Sequence, residues 1–413
     1  MDWIKLSRRA MAPVGILAAS LAMVSLTACT RDYTLAYMYV TSAKSSPGVV
    51  DQFAVDYQSG AVVEFGTPAT AGNLPVASVA APNAKSIYVV NQGDSTVQQF
   101  VVNGDGSLTP KTALPTGKMP TAVTINTAGT FLYVTYTNGF NTANPAINAI
   151  TGFTPSSAST PNPPVFGGLD VFPINSDGSL GTATSLQTGV GPVGVTVSNF
   201  NTTVYVVDQG DLNPPAGTAV IPPYVQAFAP NAAGALAPVG PTTGYPAGVQ
   251  PSAVAEDPTG RFVYVTDQAA NQLIGYVVQA GGGLVAMVNG PFATGLYPVA
   301  LTVDPRGLYI YVANYNARSI SSYALNTANG APSGVAGTTT TTDPNPVSVS
   351  IDPALGVYLY TANNLASTVS GQMLSANTGA LTAIQNTPFP ASGTPTSVAL
   401  VANGSHPTEL LQP

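Results

Sequence analysis

Seven residues stand three places after a tyrosine that recurs along the chain: Ser42, Asn91, Tyr136, Asp208, Asp267, Asn314 and Asn363. Two of them are carboxylates, and Asp211 follows closely behind the first. A carboxylate can act as general base toward water, and a nearby cation or donor can hold the oxyanion that then develops. On this chemistry Asp208, Asp267 and Arg318 are the catalytic candidates for opening a lactone or related ester, with Lys118 as a second cation that could orient substrate. Asn91, Tyr136, Asp211, Asn314, Asn363 and Lys118 complete the expected ligand-binding rim. A plainer reading needs no ligand, because Asn and Asp also end strands by bonding their own backbone in Asx turns.

Other chemistries find little support. The single cysteine, Cys29, permits neither an internal disulfide nor a thiolate metal cage. Asp208, Asp211 and Asp267 form the one acidic grouping that could approach a cation, and neither a metal nor a cofactor is expected. The one histidine, His406, falls eight residues from the end. No phosphate-binding P-loop, glycine-rich nucleotide fingerprint or Gly-x-Ser-x-Gly elbow occurs. Asp105-Gly106 and Asp177-Gly178 are explained as hairpin turns. With 11 Lys and Arg against 18 Asp and Glu, the surface can release few counterions from a phosphate backbone, so nucleic acid is not an expected partner.

What must position these residues is a sheet architecture. The 413 residues include 41 Gly and 37 Pro, 45% are apolar and only 7% charged, which disfavours both helices and a solvated disordered chain. Tyr followed by a β-branched residue recurs at Tyr39, Tyr88, Tyr133, Tyr205, Tyr264, Tyr311 and Tyr360. Six of these follow a proline, 13 residues earlier at Pro75, Pro120, Pro192, Pro251 and Pro298, and 14 earlier at Pro346. Pro395 has no tyrosine after it, and Tyr39 has no proline before it. Each unit reads as four antiparallel strands, a to d, the blade of a β-propeller. The orphan strands at the two ends complete one blade between them, predicting an all-β, seven-bladed ring closed by the C-terminal strand lying innermost in the first blade. The b–c and d–a loops then share one rim.

Segments such as Tyr311-Val312-Ala313-Asn314 and Tyr88-Val89-Val90-Asn91, with their upstream prolines, resemble the YVTN repeats of the lactonase-like seven-bladed propellers, a family that includes 6-phosphogluconolactonase-like enzymes. The resemblance spans roughly residues 36–403. It implies the propeller fold and leaves the activity open, because one fold hosts many functions. Cycloisomerase-type relatives, as the resemblance implies, use a His with Arg and Glu partners. Here His406 lies beyond the last strand, Glu64, Glu256 and Glu409 lie off the rim, and Arg261 and Arg306 belong to a–b turns on the other face.

At the N-terminus, Arg8-Arg9 precede an apolar run and Leu26-Thr27-Ala28-Cys29, which resembles a bacterial lipobox. This predicts a signal peptide over 1–28, a lipidated Cys29, a tether over 29–35, a propeller over 36–404 and a tail over 405–413. The protein is then expected to be an exported, monomeric lipoprotein of the cell envelope, with Thr30 favouring the outer membrane. Two long, Pro-rich, nearly uncharged b–c segments, 137–168 and 209–223, suit an apolar or carbohydrate-like ligand. The expected function is a binding or interaction module whose rim takes a small molecule, glycan or protein. A lactonase-type hydrolase is the alternative.

Overall fold

The computed structural model describes residues 33–138, 166–212, 220–404 and 410–412. The signal segment, Cys29, His406, Glu409 and the inner parts of both long loops lie outside the described residues. All regular elements among the described residues are strands, arranged as seven antiparallel sheets. The expected seven-bladed propeller is what forms.

Strand a of blades 1 to 7 is Pro395–Ala402, Pro75–Ala80, Lys118–Ile125, Pro192–Val197, Pro251–Glu256, Pro298–Val303 and Pro346–Ile351. Strand b is Thr34–Ser42, Ser86–Asn91, Phe131–Asn138, Val204–Asp208, Phe262–Asp267, Tyr309–Asn314 and Tyr358–Asn363. The first strand b starts two residues before the expected propeller boundary. The C-terminal strand pairs antiparallel with it, Ala36 opposite Ala402 and Tyr39 opposite Ala399, so the blade built from both chain ends leaves no open edge between them. In five blades the outer strand d is split, and its second piece, such as Leu114–Pro115, pairs with the same strand c as the first.

The strand-a proline explains the inner geometry. It has no N–H for the ladder, and in every blade the register with strand b shifts between the proline and the second residue after it or, in blade 1, beside it. That second residue is always small: Ser397, Ala77, Ala122, Gly194, Ala253, Ala300 or Ser348. The seven inner strands converge closely enough that Ser78 Oγ and Ser397 Oγ lie 2.9 Å apart, and Ser350 Oγ donates to the Val398 carbonyl at 2.8 Å. Bulkier side chains would force the strands apart.

Seven apolar clusters form, one at each joint between neighbouring blades. The repeating tyrosine adds direction to this burial. In six blades its phenol donates across the joint to a glycine carbonyl in the next c–d hairpin: Tyr39 to Gly106, Tyr88 to Gly178, Tyr205 to Gly282, Tyr264 to Gly330, Tyr311 to Gly379 and Tyr360 to Gly60, at 2.6–3.0 Å. Each accepting glycine has φ between 68° and 88°, which closes the hairpin. Burial raises the pKa of all six phenols, that of Tyr88 to about 12, so they stay protonated donors.

A second set of latches catches the strand-a proline carbonyl of the following blade. Thr396, Thr121 and Ser252 donate to Pro75, Pro192 and Pro298, each at 2.8 Å. Gln92, Gln209 and Asn364 reach Pro120, Pro251 and Pro395 at 3.0–3.1 Å. Six of the seven joints therefore have a side chain that reaches the strand-a proline carbonyl of the following blade.

Candidate functional site

The b–c and d–a loops do share one face, because each residue three places after the repeating tyrosine pairs with a strand-a proline: Asn91 with Pro75, Tyr136 with Pro120, Asp208 with Pro192, Asp267 with Pro251, Asn314 with Pro298, Asn363 with Pro346 and Ser42 with Pro395. Their exposure differs from the expected open rim. All seven are 0% exposed.

The cause lies in a motif the tyrosine count did not use. Five d–a loops carry Gly three residues before the proline, at Gly72, Gly117, Gly189, Gly248 and Gly295. A Cβ on any of these would come within 2.1–2.8 Å of the side chain of Asn91, Tyr136, Asp208, Asp267 or Asn314 respectively. The loop backbone therefore lies directly over the inner ring. Gly-x-x-Pro is legible in the sequence, and it marks these side chains as covered.

Asp267 and Asn91 hold the loop above them, whereas Asn314 and Asn363 bond strand c of their own blade. Asp267 accepts the N–H groups of Val249 (2.8 Å), Gln250 (3.0 Å) and Ala270 (3.3 Å) and the Gln272 amide (3.1 Å). Asn91 Oδ1 accepts the Gly72 N–H at 3.2 Å, and Asn363 Nδ2 donates to Thr368 and Ser370. Asn314 Nδ2 donates to Ser321 at 2.9 Å while its Oδ1 has no partner. The Asx-turn reading accounts for part of this set, since Asp267 bonds Ala270 within its own turn.

Asp208 and Tyr136 behave differently. Neither Asp208 oxygen has a hydrogen bond, and burial drives its pKa well above the usual carboxylate range. Thr188 and the Gly189 N–H offset part of that rise without reaching hydrogen-bond geometry. A base must reach water, and Asp208, fully buried beneath its loop, does not. Tyr136 occupies the space left by Gly117 and Gly168, and its buried hydroxyl has no partner. Beside it Asp170, on strand c, accepts the Gly117 N–H at 2.7 Å and the Ser185 hydroxyl at 2.5 Å. Burial raises the Asp170 pKa to about 6.

The cations expected at the rim are exposed but stand in separate blades: Lys118 opens strand a of blade 3, and Arg318 lies in the b–c loop of blade 6 with its own carbonyl accepting the Thr342 N–H. No contact joins Arg318 to Asp208 or Asp267 among the described residues. Asp211 is partly buried and its backbone bridges Ile221 across the blade 4 loop. It lines a cavity of about 340 Å³ with Gln209, Gly210, Leu212, Val249 and Gln250, between the b–c loop of blade 4 and the d–a loop of blade 5. Among the described residues no three Asp, Glu, His or Cys side chains come together as a metal cage. Arg306 and Arg261 lie on the opposite face as expected. Arg306 pairs with Asp304 (2.6 Å) and holds the tail through the Leu411 carbonyl (2.7 Å).

The rim loops also present apolar side chains that the repeat count did not single out. Leu74, Met119, Leu212, Val220, Val249, Leu296 and Leu365 are each at least 41% exposed; six sit in b–c or d–a loops, and Met119 is the second residue of strand a in blade 3, at the same rim. The a–b and c–d face exposes Tyr33, Tyr57, Phe200 and Leu411, and the outer part of the blades exposes Val63, Val285, Val288 and Met373.

Residues 223–351, from strand c of blade 4 into strand a of blade 7, match the family model described as lactonase, 7-bladed beta-propeller. No curated protein sequence matches the chain. Among solved structures, a Bacteroides uniformis protein described as a candidate 6-phosphogluconolactonase is similar at TM-score 0.70 and 20% identity, covering 89% of this chain and 100% of that one. A Bacteroides fragilis protein of the same description gives 0.68 at 18%, covering 90% and 99%. The Pseudomonas aeruginosa periplasmic gluconolactonase PpgL gives 0.68 at 18%, covering 89% and 99%. At these identities the likeness establishes the shared fold, and with the family match it agrees with the lactonase-like resemblance of the repeats.

Proposed function

We propose that this chain is an exported, lipid-anchored binding module whose b–c and d–a loops engage a ligand. One observation carries the reading: the polar ring that could have done chemistry is enclosed beneath the loops, while the same loops turn apolar side chains outward. Seven exposed apolar groups gathered around one rim suit an interaction surface, and side chains without charge suit a neutral ligand. Export is supported by the residues before Cys29 and by the periplasmic setting of PpgL. Partition of the chain into a detergent phase, lost in Cys29→Ser, tests the anchor. Soluble behaviour of both forms would refute it.

A lactone hydrolase is the second reading, favoured by the family match over residues 223–351 and by the names of the similar structures. Its site would be the cavity between blades 4 and 5, with Asp211 as base in place of the enclosed Asp208. Proton release from a panel of sugar lactones separates the two readings. No release supports a binding module, whereas turnover lost in Asp211→Asn establishes the hydrolase.

A further inference from the structure

The residue immediately before the strand-a proline takes a left-handed backbone in five blades: Leu74 (φ 50°), Met119 (55°), Gly191 (65°), Tyr297 (59°) and Asn345 (62°). Gly and Asn adopt this conformation readily, whereas a bulky residue there is strained. Such strain persists only where the surroundings over-determine it, and it gathers at functional positions. Tyr297 is the aromatic case, and three loops hold it. Its N–H donates to Asn271 Oδ1 of blade 5 at 2.7 Å, and its carbonyl accepts the Tyr315 N–H of blade 6 at 2.9 Å. Asn345 of blade 7 in turn donates to the Tyr315 carbonyl at 3.4 Å.

The rings of Tyr297 and Tyr315 lie 6.0 Å apart, tilted by 55°, and both residues are partly exposed. The six strand-b tyrosines spend their phenols on glycine carbonyls. The phenols of Tyr297 and Tyr315 make no hydrogen bond to another described residue. Leu296, 58% exposed, adjoins them, and its carbonyl accepts the Asn316 and Ala317 N–H groups at 3.2 Å, so the two loops are tied together through their own backbone. A fixed aromatic pair with unspent hydroxyls matches a ligand with a C–H face and an equatorial girdle of hydroxyls. Tyrosine offers contact area at low entropic cost, and preorganisation lowers the cost of binding further.

We infer that Tyr297 and Tyr315 form a stacking platform for a saccharide ring, so that the ligand of the rim is a glycan. This rests on the reading of the rim as a binding surface. An anionic ligand is disfavoured because Arg318 is the one basic side chain in these two loops.

The full chain, titrated with cellohexaose, chitohexaose and tetragalacturonate and followed by saturation-transfer NMR, tests the inference. Binding of a neutral probe is expected, weakened about tenfold or more in Tyr315→Ala and in Tyr297→Asn. Asn tolerates φ near 60°, as at Asn345, so Tyr297→Asn should keep or raise Tm while losing affinity, a combination that a merely structural tyrosine would not give. Unchanged affinity in both variants, or binding of tetragalacturonate alone with loss in Arg318→Gln, overturns the platform. If affinity instead falls in Met119→Asn but not in the tyrosine variants, the platform is wrong and rim binding stands. If no probe binds the folded chain, the glycan assignment is wrong.

Discussion

Asp208 and Asp267 hold the same place in neighbouring blades, both fully enclosed and both opposite a strand-a proline, yet one has four donors and the other none. The loop above each decides this. In Gly248-Val249-Gln250-Pro251 the left-handed residue is Gly248 (φ 85°), and the next two N–H groups turn down onto Asp267. In Gly189-Val190-Gly191-Pro192 it is Gly191 (φ 65°), Val190 pairs instead with Phe166, and no N–H reaches Asp208 in hydrogen-bond geometry. Moving one left-handed residue by two places turns a carboxylate that holds a loop into a buried, protonation-prone acid. Identical position in a repeat therefore does not imply identical chemistry.

The largest effect that could break this comparison is on stability. Asp267→Ala would leave the N–H groups of Val249 and Gln250 unpaired beneath the loop, and the expected cost is about 3–5 kcal/mol in urea unfolding at pH 7. Asp208→Asn removes no hydrogen bond and replaces a carboxyl whose ionisation burial opposes, so it should change stability by less than about 1 kcal/mol. Equal losses in the two variants would mean that the loops do not distinguish the carboxylates.

The next effect is pH dependence, and it is carried by the raised acids. Asp170 titrates near 6 against an ordinary 3.8, so the folded state holds its proton more tightly than the unfolded chain. Its contribution is complete below about pH 4 and disappears as pH rises through 6, a span worth roughly 3 kcal/mol. Asp208 acts in the same direction. Tm should fall between pH 4.5 and 7.5, and Asp170→Asn should flatten that fall, keeping an oxygen for the Gly117 N–H. A wild-type Tm that rises over this range would show that these carboxyls are ionised and paired.

The ring was legible because its signal is periodic and local: proline opens strand a, tyrosine sits on strand b, and the orphan halves at Tyr39 and Pro395 can only complete each other. The site was less legible. Position three after tyrosine correctly located the rim end of strand b, but enclosure depends on Gly72, Gly117, Gly189, Gly248 and Gly295, whose role appears only when the loop is folded over its own blade. The partner of each repeating phenol sits 66–90 residues away, except for Tyr360, whose partner Gly60 lies across the closure of the ring. Spacing along the chain cannot report such a contact. Nor does composition reveal left-handed Leu74, Met119 and Tyr297, since leucine, methionine and tyrosine are not residues from which positive φ is read.

A middle-sized effect contrasts the interior tyrosines with the rim pair. Tyr360→Phe removes the 2.6 Å bond to Gly60 across the closing joint of blades 7 and 1 and should cost about 1–2 kcal/mol in urea unfolding. Tyr315→Phe should leave stability within about 0.5 kcal/mol, because its hydroxyl has no described partner to lose. If both variants unfold alike, the phenols do not latch the ring, and the apolar clusters at the joints hold it alone.

The smallest effect has the opposite sign. Leu74 and Met119 carry two liabilities at once, a left-handed backbone and side chains 44% and 46% exposed. Replacing either with Asn, the residue found at position 345, removes the strain without opening a cavity, so Leu74→Asn and Met119→Asn should each gain about 0.5–1 kcal/mol. A gain in Tm would show that stability is given up at these rim positions, as a binding surface requires. Unchanged or lowered stability would mean that the two side chains contribute packing at the rim, and the argument for an outward-facing surface would then rest on Leu212, Val220, Val249, Leu296 and Leu365.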